Sequence, residues 1–249
     1  MSDAGHDVAL VRADNPSPLT LSGTNTWVVG REPAWVVDPG PDLPAHVAAV
    51  REEVARRGGL GGVVLTHEHA DHAEALPRHG GADAARGLGD GDRVGPFVVA
   101  STPGHTPTHL AFVTAEGAAF TGDAVLGEGS VFIAPDPGAL TAYLAALRRL
   151  RAIAPTRLYP GHGPVVEDPA AKLDEYVAHR LDRERRLVAA LEGGARVTDA
   201  LLDAAWGDVP AHLRPAAAIT LVAHLDKLEE EGRLPAGVQR PSVGSTPLV

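Results

Sequence analysis

Thr66-His67-Glu68-His69-Ala70-Asp71-His72 is the stretch that decides the fold. It directly follows the apolar run Gly62-Val63-Val64-Leu65 and contains three histidines and one aspartate. Imidazole and carboxylate groups at this density are typical ligands of a divalent metal ion. His67 and His69 are two positions apart, so on an extended segment both side chains face the same side. The stretch therefore predicts a metal site at the end of a strand.

Two residues of this stretch have a second interpretation. Asp71, followed three positions later by Glu74, also fits a helix capping pattern, which makes an N-cap the alternative to a metal ligand. Glu68 points away from the flanking histidines on an extended segment. We interpret Glu68 as a surface residue, or as one that supports the site from behind.

Three later segments each place one more candidate ligand after a short apolar run. Each is typical of a strand end followed by a glycine-bearing turn, and glycine allows tight backbone geometry beside a bound ion. The segments are Pro103-Gly104-His105-Thr106, Thr121-Gly122-Asp123 and Pro160-Gly161-His162-Gly163. One such segment is weak evidence, but together with the first stretch they predict a single shared metal site.

The composition favours an intracellular enzyme. The chain has 249 residues, of which 44% are hydrophobic and none is cysteine, so disulfides and thiolate ligands are excluded. The first ten residues include Asp3 and Asp7 and lack the apolar centre of a secretory signal. No stretch of about 18 apolar residues is present, so we expect no membrane partner and a cytoplasmic location.

The chain divides near Pro169. Before it, strands alternate with helices. One of these is expected from Asp42, as a cap residue, to about Arg57, with Pro44 at its start, and another from Ala139 to Arg151. After it the pattern is helical. We predict a catalytic domain at 1–169, a helical domain at 170–235 and a flexible tail at 236–249. The helical domain would contain a long helix, two shorter helices at about Thr198–Trp206 and Pro215–Glu231, and a small wing at Arg233-Leu234.

The order of the ligand segments resembles that of the metallo-beta-lactamase-fold hydrolases. A fifth segment, Val36-Val37-Asp38-Pro39-Gly40, precedes them and matches the same family order. The resemblance implies an α/β fold, namely a four-layer αβ/βα metallo-beta-lactamase sandwich with the metals at one edge of two packed sheets. It also implies a small C-terminal winged-helix-like helical domain.

The same resemblance implies two divalent metal ions, zinc first, with manganese or iron as alternatives. The implied ligands are His67, His69 and His105 for the first ion, Asp71, His72 and His162 for the second, and Asp123 for both. Asp71 and Asp123 are the implied catalytic residues. Asp38 would orient a ligand histidine from behind, as outer carboxylates do in such sites.

Further motifs narrow the resemblance to the beta-lactamase-like protein two branch. They are Asn15-Pro16, Thr20–Trp27, Arg157–Pro164 and the pattern His224-Leu225-x-Lys227-Leu228. The resemblance covers about residues 8–235. It implies a hydrolase in which a metal-bridging hydroxide attacks a carbonyl or phosphoryl group.

Three functions stay open. A characterised animal relative in this branch cleaves single-stranded RNA, so an endoribonuclease is one hypothesis. An acyl-thioester hydrolase, as in thioesterases or glyoxalase II, is another. A non-catalytic metal- or RNA-binding module is the alternative of a different class. The net charge of −10 and the aromatic content of 4% weaken the RNA hypothesis, because RNA binding favours basic and aromatic surfaces. The expected partner is therefore a small ester or thioester or single-stranded RNA, and the sequence leaves the oligomeric state open.

Five residues are candidates for substrate contact. Asn25 and Thr26 lie in a segment expected near the metals, with an alternative role as turn residues. Arg180, Arg183 and Arg186 lie on the long helix and would contact phosphates. Their alternative is a solvated helix face paired with acidic neighbours.

Histidines outside the ligand segments have other expected roles. His109 is predicted as a core or near-site residue. The remaining five are predicted as surface or packing residues: His46, His79, His179, His212 and His224.

Overall fold

Two β-sheets lie face to face at the centre of the protein. The computed structural model describes residues 7–80, 87–133 and 135–242. The first sheet has the order β1 (Val8–Arg12), β2 (Asn25–Val29), β3 (Ala34–Val37), β4 (Leu60–Val64). The second has the order β5 (Arg93–Val94), β6 (Phe97–Ser101), β7 (Leu110–Thr114), β8 (Ala118–Gly122), β9 (Arg157–Pro160). Neighbouring strands are antiparallel, except that β3 and β4 run parallel, as do β8 and β9.

The inner faces of the two sheets form one apolar core. Trp27 of the first sheet packs against Tyr159 of the second, with ring centroids 5.0 Å apart. Phe120 stacks on Tyr159 at the same separation. Because side chains alternate across a strand, every second residue of these strands reaches this core.

Helices cover both outer faces and complete the four layers. Helix α1 (Pro44–Arg56) packs Val50 and Val54 against Val36 and Val63 of the first sheet. The short helix α2 (Ala70–Ala73) follows the histidine stretch, and a 3-10 turn follows at Leu76–His79. Helix α3 (Ala139–Ile153) covers the second sheet. The expected αβ/βα sandwich is confirmed.

The start of α1 differs from the prediction. The residue before the helix is Leu43, which makes no side-chain cap, while Pro44 stands at the first helical position. Asp42 lies one residue too early to cap, and its carboxylate accepts a hydrogen bond from Arg78 at 2.8 Å. The prediction of Asp42 as the cap was therefore wrong by one position. Proline fits the first turn because it has no N–H to leave unbonded.

The long helix α4 (Pro169–Glu192) belongs to both domains. Asp168 caps it by accepting a hydrogen bond from the Ala171 amide. Its first half places Leu173 and Tyr176 in the core under the second sheet. Its second half places Leu187 and Leu191 in the core of the helical domain. The boundary predicted at Pro169 coincides with the start of α4, but the two cores meet along that helix.

Helices α5 (Thr198–Trp206) and α6 (Arg214–Glu230) complete the helical domain, with a 3-10 turn at Ala211–Leu213 between them. Trp206 is buried in its core, as predicted. In the described part of this domain, 170–242, no strand forms at the expected wing. Residues 236–242 also differ from a loose tail, because Gln239 donates to the Arg196 carbonyl and Arg240 pairs with Glu229. The rest of the predicted tail, 243–249, lies outside the described residues.

Among the described residues, no helix is both long enough and apolar enough to cross a membrane.

Candidate metal centre

The candidate ligands meet because their strands end at the same edge of the two sheets. In the second sheet, β6, β8 and β9 point in one direction, and His105, Asp123 and His162 follow their ends. In the first sheet, β3 and β4 are parallel, and Asp38 and His67 follow their ends. Loops after the carboxyl ends of neighbouring strands in one direction lie side by side, so segments far apart in sequence converge.

The first group contains His67, His69 and His105. The Nδ1 atom of His69 lies 3.0 Å from Nε2 of His67 and 3.1 Å from Nε2 of His105. Zinc–nitrogen bonds of 2.0–2.1 Å place tetrahedral ligands about 3.3 Å apart, so these spacings match one ion held by three imidazoles. The three imidazole nitrogens that the resemblance assigns to the first ion therefore lie close enough to bind one ion.

The second group contains Asp71, His72 and His162. The Nε2 atoms of the two histidines are 3.3 Å apart, and each lies 3.3 Å from Oδ2 of Asp71. Asp123 stands between the groups. Its Oδ1 lies 3.4 Å from His162 Nε2, and its Oδ2 lies 3.6 Å from His105 Nε2. Each Asp123 oxygen therefore faces a different group, which is the geometry of a bridging ligand.

The buried atoms of the cluster fit metal ions. Oδ1 of Asp71 and Oδ1 of Asp123 are buried without a hydrogen-bond partner among the described residues. Burying carboxylate oxygens in this way is unfavourable unless a cation or a donor satisfies them. Together with the converging imidazole nitrogens, these oxygens form a ligand set that suits two divalent ions.

Hydrogen bonds from outside the cluster set the direction of its rings. Thr66 donates its hydroxyl proton to Asp38 at 2.7 Å, so the same hydroxyl oxygen accepts from His67 Nδ1 at 3.0 Å. His72 Nδ1 donates to Asp38 at 3.0 Å, and His105 Nδ1 donates to the Phe132 carbonyl at 3.0 Å. In all three histidines Nε2 is left with its lone pair toward the cluster, as ligation requires.

Asp38 is held in an uncommon backbone conformation. Its φ is +53°, in the left-handed region that residues other than glycine rarely adopt. Its carboxylate accepts from the Thr66 amide and hydroxyl and from His72. These three contacts fix Asp38 in place, so the structure puts it behind a ligand histidine as the resemblance implied.

His109, which the sequence predicted as a core or near-site residue, contacts two candidate ligands, His67 and Asp123. Its ring stacks on His67 at 5.0 Å and 27°. Its Nδ1 donates to Thr102 at 2.7 Å, and its Nε2 accepts from the Asp123 amide at 3.2 Å. Burial, with nearby histidines, lowers the pKa of His109 well below its usual value. The ring thus stays neutral and orients the bridging aspartate, which makes it a near-site residue.

Asp71 does not cap a helix. Helix α2 is preceded by His69, with no side-chain cap, and Asp71 lies inside its first turn. Its Oδ2 accepts a hydrogen bond from the buried Thr24 hydroxyl at 2.9 Å. The N-cap interpretation of Asp71 was wrong, because the tertiary contact with a distant segment decides where its carboxylate points.

The segment predicted to contact substrate lies under the metal ligands. Asn25 donates both amide protons, to the carbonyls of Pro160 and Gly163 on either side of His162. The Thr26 hydroxyl bonds to the buried His46 ring at 2.9 Å. Neither side chain lines the cleft beside the metals. The expectation of substrate contact for Asn25 and Thr26 is therefore corrected: Asn25 holds the loop that carries His162, and Thr26 bonds His46 of helix α1.

Glycine is required where the cluster is tightest. A Cβ atom added at Gly161 would lie 2.6 Å from Oδ1 of Asp123 and from Cε1 of His72. Gly122, with φ +45°, would place a Cβ 2.2 Å from the Thr66 hydroxyl. Any larger residue at either position would push a ligand or its support aside.

The two groups differ in charge. Burial and neighbouring histidines lower the pKa of His67 well below its usual value and that of His69 to about 4. Burial lowers the pKa of His162, but the charge of Asp123 and the hydrogen bonds to Asp123 and Asp71 together outweigh burial and raise the pKa to about 9. Burial raises the pKa of Asp71, whereas hydrogen bonds from His162 and His72 lower it further than burial raises it. Neutral imidazoles thus form the first group, and ionised carboxylates lie in the second.

Comparison with known proteins agrees with this architecture. Residues 74–162 match the family model described as the metallo-beta-lactamase superfamily, and residues 198–235 match the beta-lactamase associated winged helix domain. The Drosophila melanogaster protein named beta-lactamase-like protein 2 homolog is 30% identical over 88% of this chain and 87% of its own. The chain belongs to the metallo-beta-lactamase superfamily.

Two solved structures of the superfamily extend the comparison. A beta-lactamase domain protein from Burkholderia ambifaria has a TM-score of 0.72 and 22% identity, covering 93% of this chain and 89% of its own. TTHA1623 in a di-iron-bound form has a TM-score of 0.50 and 31% identity, covering 64% of this chain and 94% of its own. The first likeness shows the fold along both domains. The second structure contains two iron ions, so a protein similar to this chain holds a dinuclear metal site.

A cleft of about 460 Å³ opens from the His/Asp cluster of this superfamily member toward its winged-helix domain. At one end it is lined by His69, His105, Asp123 and His162. Apolar side chains from the N-terminal segment, the loop after β8 and the helical domain form most of its wall, among them Leu19, Leu21, Leu126, Val131, Phe132, Trp206, Val209 and Leu213. Pockets of this size and character bind small molecules.

The three candidate arginines differ in their surroundings. Arg183 is buried, and its Nη2 donates to Asp208 at 2.9 Å. Arg186 is partly exposed, lies outside the cleft and pairs with Asp182 at 2.6 Å. Arg180 is 2% exposed and lines the cleft. The expected row of free phosphate contacts is thus corrected, because two of the three charges are neutralised by carboxylates and the arginines do not share one open face.

Proposed function

We propose that the protein is a dinuclear metal-dependent hydrolase whose substrate is an acyl thioester or ester. One observation carries this proposal: the metal cluster lies at the end of a cleft with mostly apolar walls. An acyl chain fits such walls, and its carbonyl carbon would then lie beside the ligands. The volume of the cleft suits a small acyl group and part of its thiol or alcohol.

The charges around the cleft favour this substrate over RNA. Arg183 is paired with Asp208 and Arg186 with Asp182, and the acidic side chains Glu128 and Glu175 also line the cleft. A polyphosphate strand would meet these acidic side chains with little positive charge to offset them. Three aromatic side chains line the cleft, namely Phe132, Tyr176 and Trp206, and Tyr176 is buried with its hydroxyl bonded to the Leu126 amide.

Two divalent ions bound by this ligand set supply a nucleophilic water near neutral pH and a Lewis acid for the carbonyl oxygen. The residues of the chain do the rest. His109 and Thr24 hold the carboxylates of Asp123 and Asp71 in fixed directions. Oδ1 of Asp71, buried and without a donor among the described residues, is an acceptor for the proton that the attacking water loses. The apolar wall excludes other water from the bound acyl group.

The proposal is tested with two substrates in parallel. Zinc-loaded protein is given a series of acyl N-acetylcysteamine thioesters and, separately, a labelled single-stranded RNA. The chain contains no cysteine, so the released thiol can be measured with a thiol reagent without background from the protein. Asp71→Ala is the matched control, because it removes a ligand and leaves any contaminating enzyme unchanged.

Thioester hydrolysis by the parent, and at least about 100-fold less by Asp71→Ala, is the expected result. RNA cleavage that Asp71→Ala abolishes, with no thioester hydrolysed, would overturn the acyl assignment and favour a nuclease. Two bound ions with neither reaction would favour a binding module without catalysis. Metal content by elemental analysis distinguishes zinc from the iron seen in TTHA1623.

A further inference from the structure

Arg180 carries a buried positive charge on the wall of the cleft. Only 2% of its surface is exposed, and its Nη2 donates to the Val131 carbonyl at 2.5 Å. The guanidinium lies over the Tyr143 ring, 5.4 Å from the centroid. Its Nε–H is buried and has no hydrogen-bond partner among the described residues. Part of a strong donor group is therefore unsatisfied in a side chain that lines the cleft.

Arg183, one turn further along α4, has hydrogen-bond partners for its guanidinium group. Its two Nη atoms bond the two oxygens of Asp208, and its Nε donates to His179 at 3.2 Å. Arg180 has no such carboxylate: in the described ranges, no acidic side chain lies within ion-pair distance of it. An isolated buried charge is strongly unfavourable, so an anion from outside the chain is the missing partner.

The position of Arg180 links it to the metal centre. Val131, which accepts from Arg180, precedes Phe132, whose carbonyl accepts from the metal ligand His105. Tyr143, which lies under the guanidinium, donates its hydroxyl to the carbonyl of Ala124, the residue after Asp123. The cleft that begins at His105 and Asp123 also has Arg180 in its wall. An anion bound by Arg180 would share the cleft with a substrate at the metals.

We propose that Arg180 binds a carboxylate carried by the acyl part of the substrate, so that the enzyme selects acyl groups with an acid function. The planar Nε–H edge of a guanidinium matches the two oxygens of a carboxylate. One positive charge balances one carboxylate, whereas a phosphate dianion would keep excess negative charge beside Glu128 and Glu175. The inference rests on the proposed hydrolysis of an acyl thioester or ester.

The test uses pairs of acyl N-acetylcysteamine thioesters of equal chain length, one ending in a methyl group and the other in a carboxylate. In zinc-loaded protein, we expect one length at which kcat/KM for the carboxylate member exceeds that for the methyl member by about tenfold or more. In Arg180→Met, we expect this ratio to fall to about one or below. Arg186→Met is the matched control from the same helix, and its ratio should equal that of the parent. A parent without any carboxylate preference would overturn the proposal.

A binding measurement separates this site from the hydrolysis. Alkanedioates and alkanoates of equal length are titrated into the zinc-loaded parent and Arg180→Met by calorimetry, and thermal unfolding is followed with each. The dioate should bind the parent more tightly, raise its melting temperature more, and lose both advantages in the variant. If Arg180 only supports the fold, Arg180→Met lowers the melting temperature without ligand and leaves the dioate advantage of the folded protein intact, which would overturn the proposal. Dioate binding that depends on Arg180, without thioester hydrolysis, would retain the anion site and refute the proposed reaction.

Discussion

At the scale of single residues, the site depends on atoms whose positions are fixed by one or two hydrogen bonds. Asp123 is the clearest example, since each of its oxygens faces a different group of ligands and its amide donates to His109. Removing one of its oxygens should therefore affect both groups together.

Asp123→Asn should lower metal content and hydrolysis in parallel. The amide nitrogen has no electron pair available to donate to a cation, so we expect the variant to lose at least one bound ion per chain and about 100-fold or more in turnover. Elemental analysis and kinetics on the same preparation measure both. The exposed Asp199, changed to asparagine, is the control and should behave as the parent. Two retained ions with normal turnover would refute the bridging role.

His224 should make the protein sensitive to acid. It is fully buried against Trp206, at 5.4 Å, and neither ring nitrogen has a hydrogen-bond partner among the described residues. Burial lowers its pKa well below the usual value, and nearby cationic groups lower it further: Arg180, Lys227, His179 and Arg183. Above about pH 6.5 the ring is neutral in both the folded and the unfolded chain. Below about pH 6.5 the ring is protonated in the unfolded chain but stays neutral in the folded chain. The free energy of unfolding therefore falls by up to about 1.4 kcal/mol per pH unit.

His224→Leu should remove that loss. We expect the free energy of unfolding to rise by about 1 kcal/mol at pH 8, because two unbonded polar atoms disappear, and by more at pH 5. Urea unfolding at the two pH values measures the difference. His212→Leu, on the exposed 3-10 turn, is the control. An equal change at both pH values would show that His224 is not the source of the acid sensitivity.

At the scale of elements, the segment before and within β2 supports the metal ligands from below. Thr24 bonds Asp71, and Asn25 clamps the loop that carries His162. These contacts span 47 and 135–138 positions of sequence. The segment therefore contacts a candidate ligand that follows the first sheet, Asp71, and the loop of a candidate ligand that follows the second sheet, His162.

Thr24→Val should weaken metal binding with little change in the fold. Valine has nearly the same shape, but it leaves Oδ2 of Asp71 without its donor, and loss of such a supporting contact typically weakens a metal site 10- to 100-fold. Competition with a chelator gives the affinity. Thr26→Val is the matched control, since its buried hydroxyl bonds His46 and no ligand. Equal affinities in the two variants would contradict the supporting role of Thr24.

At the scale of the whole molecule, α4 joins the cores of the two domains. Its Leu173 and Tyr176 belong to the core of the metallo-beta-lactamase-fold domain, and its Leu187 and Leu191 to that of the helical domain. The Tyr176 hydroxyl also accepts from the Leu126 amide at 3.1 Å, in the loop after Asp123. Because the helix is buried in both cores, we expect the two domains to unfold together.

Leu187→Ala should destabilise both domains together. The cavity in the helical core should cost about 2–5 kcal/mol. A Trp206→Phe background removes the tryptophan of the helical domain. The remaining two, Trp27 and Trp35, pack between the two β-sheets, so their fluorescence reports on the domain that contains those sheets. In that background, we expect their fluorescence and the helical circular dichroism to change at the same, lower urea concentration. Two separate transitions would show that the domains unfold independently.

The sequence by itself determined the candidate ligand set, the strands that carry it and the helices. The ligand motif needs three histidines and an aspartate at fixed places. The spacing of apolar residues, with glycine and proline at the helix ends, predicts the ends of α3, α5 and α6 within one or two residues. These are local properties. The tertiary structure alone decided the direction of each side chain. Asp71 turns to Thr24, Asn25 to the His162 loop, Arg183 to Asp208, and Arg180 to the cleft without a counterion. Each partner is distant in the chain, because hydrogen bonds and burial are satisfied in space, where sequence spacing carries no information.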